Sequence, residues 1–452
     1  MKNGLDRRDA LKLIGIGGLS PIITDDAKAS SLKQHKLISA NKPLRVAIIG
    51  AGLAGTTLAY RLSRAIAYPQ IVIFDPLTSS AWYQPGLSML GMGMYCQKDI
   101  EYLREDFIPD NVKWIKSKIV SIDAISNKIV DDKSNSYEYD YLIIASGVKL
   151  KYTDIKGLYG DIDSMQMVEQ KPKWMDTNSI GSIYYFHGAM QIYEQINALI
   201  QKATQSKDKI KVIFSQQSID IKAPNASKSV LTTLQAKLKE FKLENKVEII
   251  YTTADGILSR SQEYDKYYKS KLKTDNIIIK TCKLIEVDID NQKAIFDNGL
   301  TIEYDFLHIT PDMGVDDVFI DSSLVDKKGF ISVDKSTLQH TKFDNIFAIG
   351  DAAGVDVLKS GAAVVSQVKI VVDTIRAIDE GKKLDAKYIG YGCDTLFCTQ
   401  NQTVMFEAYG YDKKPKSLIE FFKPLKCYKL YWYLKTKFLK YYVMYGVMRG
   451  WA

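Results

Sequence analysis

Three glycines near the start of the chain have the spacing of a dinucleotide-binding turn. The sequence GAGLAG (50–55) directly follows a short apolar run at 45–49 and precedes a helix expected over 56–66. Glycine lets such a turn close tightly and lets the backbone approach a pyrophosphate, which then meets the free N–H groups of the helix start. The next expected strand, 71–74, ends in an acid whose carboxylate can accept hydrogen bonds from a ribose. The pattern therefore predicts a dinucleotide bound by Gly50, Ala51, Gly52, Gly55 and Asp75.

Two later segments favour FAD over NAD as that dinucleotide. An apolar run from residue 139 ends in the small residues Ser146 and Gly147. A second run, 344–349, ends in Gly350 and Asp351 ahead of a helix expected near Lys359. A carboxylate there can hold a ribityl hydroxyl, and the helix start can face the second phosphate. Three segments so far apart that converge on one cofactor suit FAD.

A second α/β unit is expected between these segments. Its strands are predicted at 211–215, 247–251, 277–279 and 302–309, with a helix at 227–241 that Ser227 caps. The turn after its first strand, 215–220, contains no glycine. Side chains in such a turn block the approach of a pyrophosphate to the backbone. We therefore expect that NAD(P)H is not the reductant, which disfavours an NAD(P)H:quinone oxidoreductase.

Composition sets limits on the class of protein. The chain has 452 residues, of which 46% are apolar and 25% charged, as in an ordinary globular protein of two or three domains. No apolar run is long enough to predict a transmembrane helix. At the N-terminus, Arg7 and Arg8 precede a mild apolar stretch (13–23) and an A-x-A site at 27–29, which indicates a twin-arginine export signal. The alternative is an ordinary amphipathic N-terminus.

The positive charge of the chain is concentrated at its C-terminal end. The net charge is +8, and residues 413–452 carry ten Lys or Arg against one Glu, a net +9. This segment is also rich in Tyr and Trp, which together with lysine suit the surface of an anionic membrane. Packing on the protein's own surface is the alternative, and nucleic acid is disfavoured as a partner.

The cysteines and histidines predict neither a disulfide framework nor a metal site. They are few and scattered, without a CxxC pair. The five cysteines are Cys96, Cys282, Cys393, Cys398 and Cys427, and the four histidines are His35, His187, His308 and His340.

Several segments, in order, resemble sulfide:quinone oxidoreductases. They are 82–93, 112–115, 139–142, 306–311, 345–351 and 390–396, followed by the aromatic and basic C-terminal end. The export signal is similar to that of the related flavoprotein of flavocytochrome c sulfide dehydrogenase. The resemblance implies two Rossmann-like domains, FAD, a quinone site near the flavin and a C-terminal membrane-docking region. It also implies that Lys359, followed by Ser360, stabilises a reduced flavin or a developing quinol oxyanion; the alternative is a solvent-exposed lysine at a helix start.

The chain departs from this family at the two redox cysteines. Phe186 stands where the first cysteine is expected, and Ala352 or Ala353 where the second is expected. Without that pair, a thiolate and persulfide relay has no sulfur on which to run. Cys393 or Cys398 is a candidate replacement thiol, although a buried inert cysteine is the alternative for each. His187 is a candidate base near the donor site, or else a structural histidine.

The predicted fold class is α/β, with an export signal and linker at 1–42 and FAD-binding segments at 43–155 and 300–390. A second Rossmann-like domain is expected at 156–299 and a membrane-associating region at 391–452. The predicted function is transfer of electrons from a small reduced donor, sulfide by resemblance, through FAD to quinone. The predicted location is the periplasmic face of the membrane. The alternative is a flavin-containing relay subunit that is partnered by a cytochrome and oxidises no sulfide.

Overall fold

The computed structural model describes residues 43–76, 80–159, 162–163, 173–383, 387–410, 415–417 and 421–451. The export signal and linker predicted at 1–42 lie outside the described residues. Within the described ranges, no helix is long and apolar enough to cross a membrane.

The chain alternates between strands and helices. The strands of the first half are β1 Leu44–Ile49, β2 Pro69–Phe74, β3 Ser80–Trp82, β4 Glu101–Leu103, β5 Lys113–Ile115, β6 Ile119–Asp123, β7 Lys128–Asp131, β8 Ser136–Glu138, β9 Tyr141–Ile144, β10 Lys149–Lys151, β11 Ile162–Asp163 and β12 Ile180–Gly181. Those of the second half are β13 Ile210–Gln216, β14 Val247–Thr253, β15 Ile277–Thr281, β16 Leu284–Asp288, β17 Lys293–Phe296, β18 Thr301–Glu303, β19 Phe306–Thr310, β20 Asp312–Gly314, β21 Ile346–Ala348, β22 Tyr391–Thr399 and β23 Gln402–Tyr409. The helices are α1 Leu53–Ala65, α2 Leu87–Gly91, α3 Gln97–Ile100, α4 Phe186–Gln205, α5 Ala226–Glu240, α6 Gln262–Leu272, α7 Asp317–Asp321 and α8 Gly361–Asp379.

The first parallel sheet has the strand order β21-β9-β1-β2-β5. Its central strands are short apolar runs that are almost wholly buried, as expected for parallel strands covered on both faces. Helices α1 and α8 pack against each other beside it. The carboxyl ends of β1, β2, β9 and β21 therefore meet at one edge, where ligands of open α/β sheets bind. The predicted α/β fold class is confirmed.

The second parallel sheet has the order β12-β19-β13-β14-β15. Strand β19 pairs with β13, so this sheet uses a strand that lies beyond residue 299. In the turn after β13, the side-chain amide of Gln217 donates to the carbonyl of Leu284 and accepts from its N–H. A side chain thus fills the glycine-free turn. Helix α5 begins at Ala226, one residue before the predicted start, and Asn225 rather than Ser227 is its N-cap.

An antiparallel hairpin, β22-β23, precedes the C-terminal end of the chain. Residues 429–447 then form a continuous helical stretch, which we call the C-terminal helical segment, with wider π-helical turns at Leu434–Phe438 and Tyr442–Val447. A disulfide joins Cys398 of β22 to Cys427 just before this segment, with Cα atoms 6.4 Å apart. This single disulfide was not predicted from the sequence, which indicates no disulfide framework, because the hairpin returns the chain to bring together two cysteines that are 29 residues apart.

Candidate cofactor and substrate site

The glycine turn after β1 is shaped for close approach of a ligand to the backbone. Gly50 has a φ of +105°, and a Cβ there would lie 2.5 Å from the carbonyl oxygen of Ala145. A Cβ on Gly55 would overlap the carbonyl oxygen of Gly50, so this glycine sets how closely α1 packs on the turn. A Cβ on Gly52 would meet nothing within 4 Å. The open side of Gly52 therefore faces space that a ligand can fill.

Asp75 is held at the end of β2 by two donors. Its Oδ2 accepts the N–H of Ala51 at 2.6 Å and Nη1 of Arg104 at 2.6 Å. Arg104 is 1% exposed, and its Nε and Nη2 have no hydrogen-bond partner among the described residues although both are buried. Such donors are costly to bury unless a ligand satisfies them. The sequence analysis missed Arg104, because nothing in its local pattern distinguishes it from a surface arginine.

The two later segments arrive at the same edge of the sheet. Gly147 has a φ of +70° and open space on the side that a Cβ would occupy, and the buried hydroxyl of Ser146 has no partner among the described residues. Gly350 also has a positive φ, +71°, and its N–H donates to the side-chain oxygen of Gln367 at 2.7 Å. The structure thus brings together the sequence-predicted cofactor residues from three distant segments.

One continuous pocket includes these residues and extends beyond them. The cofactor end is lined by Gly50, Gly52, Asp75, Arg104, Ser146, Gly147, Gly350 and Asp351. The middle is lined by Gln84, Tyr184, Lys222, Lys359, Ser360, Cys393, Asp394 and Thr395. The apolar part is lined by Met405, Tyr431, Leu434, Lys435, Leu439, Val443, Val447 and Met448. The pocket therefore combines a polar cradle with a mainly apolar wall.

Lys359 is a buried pocket residue rather than a solvent-exposed lysine at a helix start. Its ammonium donates to the carbonyl oxygens of Asp351 at 2.9 Å and Ala353 at 2.7 Å. Burial lowers the pKa of Lys359 to about 8, and the nearby carboxylates, Asp351 first, oppose that shift. Ser360 caps helix α8 by accepting the N–H of Ala363. A cation is thus fixed where the cofactor end meets the middle of the pocket.

Cys393 also lines the pocket, but the surroundings do not favour a thiolate. Burial raises the pKa of its thiol well above the usual value, and the charges of Glu407 and Asp394 add to that effect. The protonated thiol is a poor nucleophile. Cys398 is bonded to Cys427 and does not line the pocket, so the hypothesis that Cys398 is a free replacement thiol is wrong.

The positions where the family has its redox cysteines are filled by packed apolar side chains. The ring of Phe186 stacks on Trp82, with centroids 3.7 Å apart and an interplanar angle of 3°. Ala352 and Ala353 are fully buried. His187 lies in the first turn of α4 with its ring edge-on to Phe186, and it is not among the residues that line the pocket. No second pocket thiol accompanies Cys393 in the described part of the chain.

The C-terminal helical segment has two different faces. One face supplies most of the apolar part of the pocket lining, which was not predicted from the sequence. On the other face, Tyr433, Tyr441 and Tyr445 are each more than half exposed. From the sequence, packing on the protein's own surface and docking to a membrane are alternatives. In the structure, the segment packs on the protein with one face and exposes aromatic side chains on the other.

The class of protein follows from the fold, the pocket and a family match. Residues 44–182 match the pyridine nucleotide-disulphide oxidoreductases. The match covers β1, the glycine turn, Asp75 and the Ser146-Gly147 segment, which form part of the cofactor cradle. The protein is a flavin-dependent oxidoreductase built on two Rossmann-like parallel sheets.

Individual sulfide:quinone oxidoreductases are similar to most of this chain. The mitochondrial sulfide:quinone oxidoreductase of Dictyostelium discoideum is 26% identical over 401 residues, covering 86% of this chain and 83% of the relative. That of Mus musculus is 28% identical over 405 residues, covering 88% and 85%. The X-ray structure of the Aquifex aeolicus sulfide:quinone oxidoreductase has a TM-score of 0.70 at 19% identity, covering 90% of this chain and 92% of that chain. The resemblance to sulfide:quinone oxidoreductases is therefore confirmed.

Proposed function

We propose that the protein is a peripheral membrane enzyme that passes two electrons from a small reduced donor, through bound FAD, to a quinone. The observation that carries the proposal is the continuous pocket, which is polar at the dinucleotide end and apolar at the C-terminal end. A dinucleotide needs the first environment and a quinone with its apolar tail needs the second. Relatives named for the same pair of substrates support this reading.

The residues of the polar end fit FAD in this proposal. The N-terminus of α1 and the open side of Gly52 suit a pyrophosphate, while Asp75 suits a ribose. The unsatisfied N–H groups of Arg104 are further donors for an anionic or hydroxyl-bearing group. When bound, the flavin supplies reversible two-electron chemistry. Lys359 is placed to stabilise negative charge that develops beside it.

Sulfide is the proposed donor because the relatives are named sulfide:quinone oxidoreductases. The cysteines of the pocket restrict how sulfide could be oxidised. Cys393 is a single pocket thiol with a raised pKa, and the two positions where redox cysteines are expected by resemblance hold Phe186 and Ala352 or Ala353. A relay of sulfur between two cysteines therefore has no counterpart among the described pocket residues. The donor, if it is sulfide, is oxidised without such a relay.

The test is a pair of anaerobic measurements on the purified, flavin-loaded protein. Dithionite-reduced enzyme is mixed with a short-chain quinone analogue, and oxidised enzyme is separately mixed with sulfide. We expect rapid reoxidation in the first and bleaching of the flavin in the second. Failure of the first overturns the proposed function. Failure of the second alone removes sulfide as donor but leaves the quinone reaction.

A flavin-containing relay subunit without a donor site is the second candidate. It is favoured by the packed aromatic and alanine side chains at the expected cysteine positions. In that case the reduced donor delivers its electrons to another protein, such as a cytochrome. Copurification of a haem protein with the tagged chain, together with no bleaching by sulfide, would favour it. Sulfide-dependent turnover by the isolated chain would rule it out.

We also propose that the protein is exported and works on the periplasmic side. The support is the paired arginines of the N-terminal sequence together with the disulfide between Cys398 and Cys427. Disulfides persist mainly in oxidising compartments. Fractionation of cells, followed by N-terminal sequencing of the mature chain, tests it. Recovery of the full-length chain in the cytoplasm with both cysteines reduced would contradict it.

Docking to an anionic membrane is expected to depend on exposed lysines of the C-terminal end. The triple change Lys426→Glu, Lys429→Glu and Lys437→Glu reverses three exposed charges near the exposed tyrosines. Because each basic residue near an anionic leaflet contributes about 1 kcal/mol, binding to such vesicles should fall by about two orders of magnitude. Vesicle cosedimentation measures it.

The matched control reverses three exposed lysines of the second domain, Lys239, Lys242 and Lys273. The change in net charge is the same, so only its location differs. We expect this control to bind vesicles nearly as well as the unmodified protein. Equal loss of binding in both variants would show that overall charge rather than the C-terminal surface governs docking.

A further inference from the structure

A carboxyl group in the middle of the pocket is not used by the cofactor cradle. Asp394 lies on β22 and lines the pocket. One of its oxygens accepts the backbone N–H of Asn225 at 2.9 Å, at the start of α5, and the other accepts the N–H of Thr395 at 2.8 Å. The side chain is therefore held in one orientation by two backbone donors from different elements.

Asp394 stands at the junction between the polar and apolar parts of the pocket. The N–H of its neighbour Cys393 donates to the hydroxyl of Ser360 at 3.3 Å, which ties β22 to the residue after Lys359. On the other side, Thr395 accepts a hydrogen bond from the ammonium of Lys435 in the C-terminal helical segment. Asp394 therefore lies in the pocket between a residue of the helix α8 cap and a residue of the C-terminal helical segment.

Asp394 is surrounded by titratable side chains whose pKa values are shifted by burial. Burial raises the pKa of Asp394, while the charge of Lys435 and the N–H of Asn225 act in the opposite direction. Burial also lowers the pKa of Lys435 and lowers that of Lys228, on α5, to about 7. The other titratable groups whose charges interact with Asp394 are the side chains of Tyr184, Tyr268 and Cys393. Burial therefore favours the protonated carboxyl of Asp394 more than solvent would.

We propose that Asp394 is the proton-transfer residue for quinone reduction, giving its proton to the quinone oxygen that faces it. The inference rests on the proposed function. Quinone reduction takes up two electrons, which come from the reduced donor, and two protons. The O–H bond of Asp394 breaks as an O–H bond forms on that oxygen, the other quinone oxygen takes its proton from solvent, and solvent then returns a proton to Asp394.

The test isolates the quinone half of the reaction. Flavin-loaded wild type, Asp394→Asn and Asp394→Glu are reduced anaerobically with dithionite and mixed with a short-chain quinone analogue in a stopped-flow instrument. Loss of a general acid typically costs 10²–10⁴ in rate, so D394N should be reoxidised about 100-fold more slowly. D394E should recover much of that loss because it keeps the acid. Asp317→Asn, which removes an exposed carboxylate on α7, is the matched control and should behave as wild type.

The pH profile distinguishes proton transfer from a structural role. Since the protonated carboxyl is the donor, the wild-type rate should fall as pH rises through its pKa. This fall in the pH–rate profile should occur at a different pH in D394E and should be absent in D394N. An infrared difference spectrum should also show a protonated-carboxyl band in wild type that D394N lacks.

Two results separate the failure of this inference from failure of the proposed function. Rapid reoxidation of both wild type and D394N, with the same pH profile, overturns the role of Asp394 alone. No reoxidation of wild type by quinone overturns the proposed function and this inference with it. If D394N does not retain flavin, the pH–rate profile of D394E is the test. A profile identical to that of wild type would contradict the role of Asp394.

Discussion

The change Gly52→Val is expected to give a folded protein that binds no flavin. A Cβ at position 52 meets no atom beyond its chain neighbours within 4 Å, so a side chain there points into open space. It instead fills the space beside the N-terminus of α1, where a pyrophosphate must approach the backbone. The purified variant should lack the visible absorbance of flavin and should not regain it when FAD is added.

Thermal unfolding separates this effect from misfolding. A ligand present at 1,000 times its dissociation constant stabilises a protein by about 4 kcal/mol. The variant should therefore unfold at a lower temperature than the flavin-loaded wild type but at the same temperature as flavin-free wild type. FAD should raise the unfolding temperature of wild type only.

Two other glycines provide controls. Gly299 lies in the turn between β17 and β18, where a Cβ also meets nothing within 4 Å, and Gly299→Ala should keep flavin. Its φ of +80° makes the alanine variant slightly less stable. In contrast, Gly55→Val should damage folding, because its Cβ would overlap the carbonyl of Gly50. Retention of flavin by Gly52→Val would contradict the proposed cradle.

The parts of the site that could be predicted from the sequence consist of residues that are near one another in the chain. The glycine turn and Asp75 belong to a single strand-helix-strand unit whose spacing is set by local geometry. The predicted strands at 45–49 and 211–215 are confirmed within one or two residues as β1 and β13. Such apolar runs are long enough to be identified as strands. The residues at which each strand begins and ends depend on hydrogen bonds to distant segments.

The rest of the site depends on contacts between distant parts of the chain. Arg104 meets Asp75 across 29 residues, and Lys435 meets Thr395 across 40. Neither spacing has a local period that a sequence pattern can reveal. The same holds for Cys398 and Cys427, since only the return of the β22-β23 hairpin brings them together. Pairing of polar residues across a pocket is a property of the tertiary fold.

The C-terminal segment shows why an amphipathic pattern alone was ambiguous. Its exposed tyrosines and lysines are typical of a membrane surface, while Val443, Val447 and Met448 face the pocket. Both faces belong to the same helical stretch, so composition could not separate docking from packing.

Arg104→Met is expected to destabilise the flavin-free protein strongly. The pair that Arg104 Nη1 forms with Asp75 Oδ2 is 2.6 Å long, and the two side chains are only 1% and 8% exposed. Removing one partner of a buried pair leaves an uncompensated charge, which typically costs 3–5 kcal/mol. Urea unfolding should therefore show a loss of about 3–5 kcal/mol in the free energy of unfolding. The affinity for flavin should fall as well, because the free N–H groups of Arg104 line its cradle.

A double variant and a surface control show whether burial of the pair is the cause. Asp75→Asn combined with Arg104→Met removes both charges, so the double variant should be more stable than Arg104→Met alone. Lys116→Met breaks the exposed pair with Glu105, whose side chains are 49% and 56% exposed, and should cost at most about 1 kcal/mol. Equal losses for Arg104→Met and Lys116→Met would contradict the assignment of a buried ion pair. Restored stability without restored flavin binding in the double variant would show that the Asp75–Arg104 pair serves the cofactor in addition to the fold.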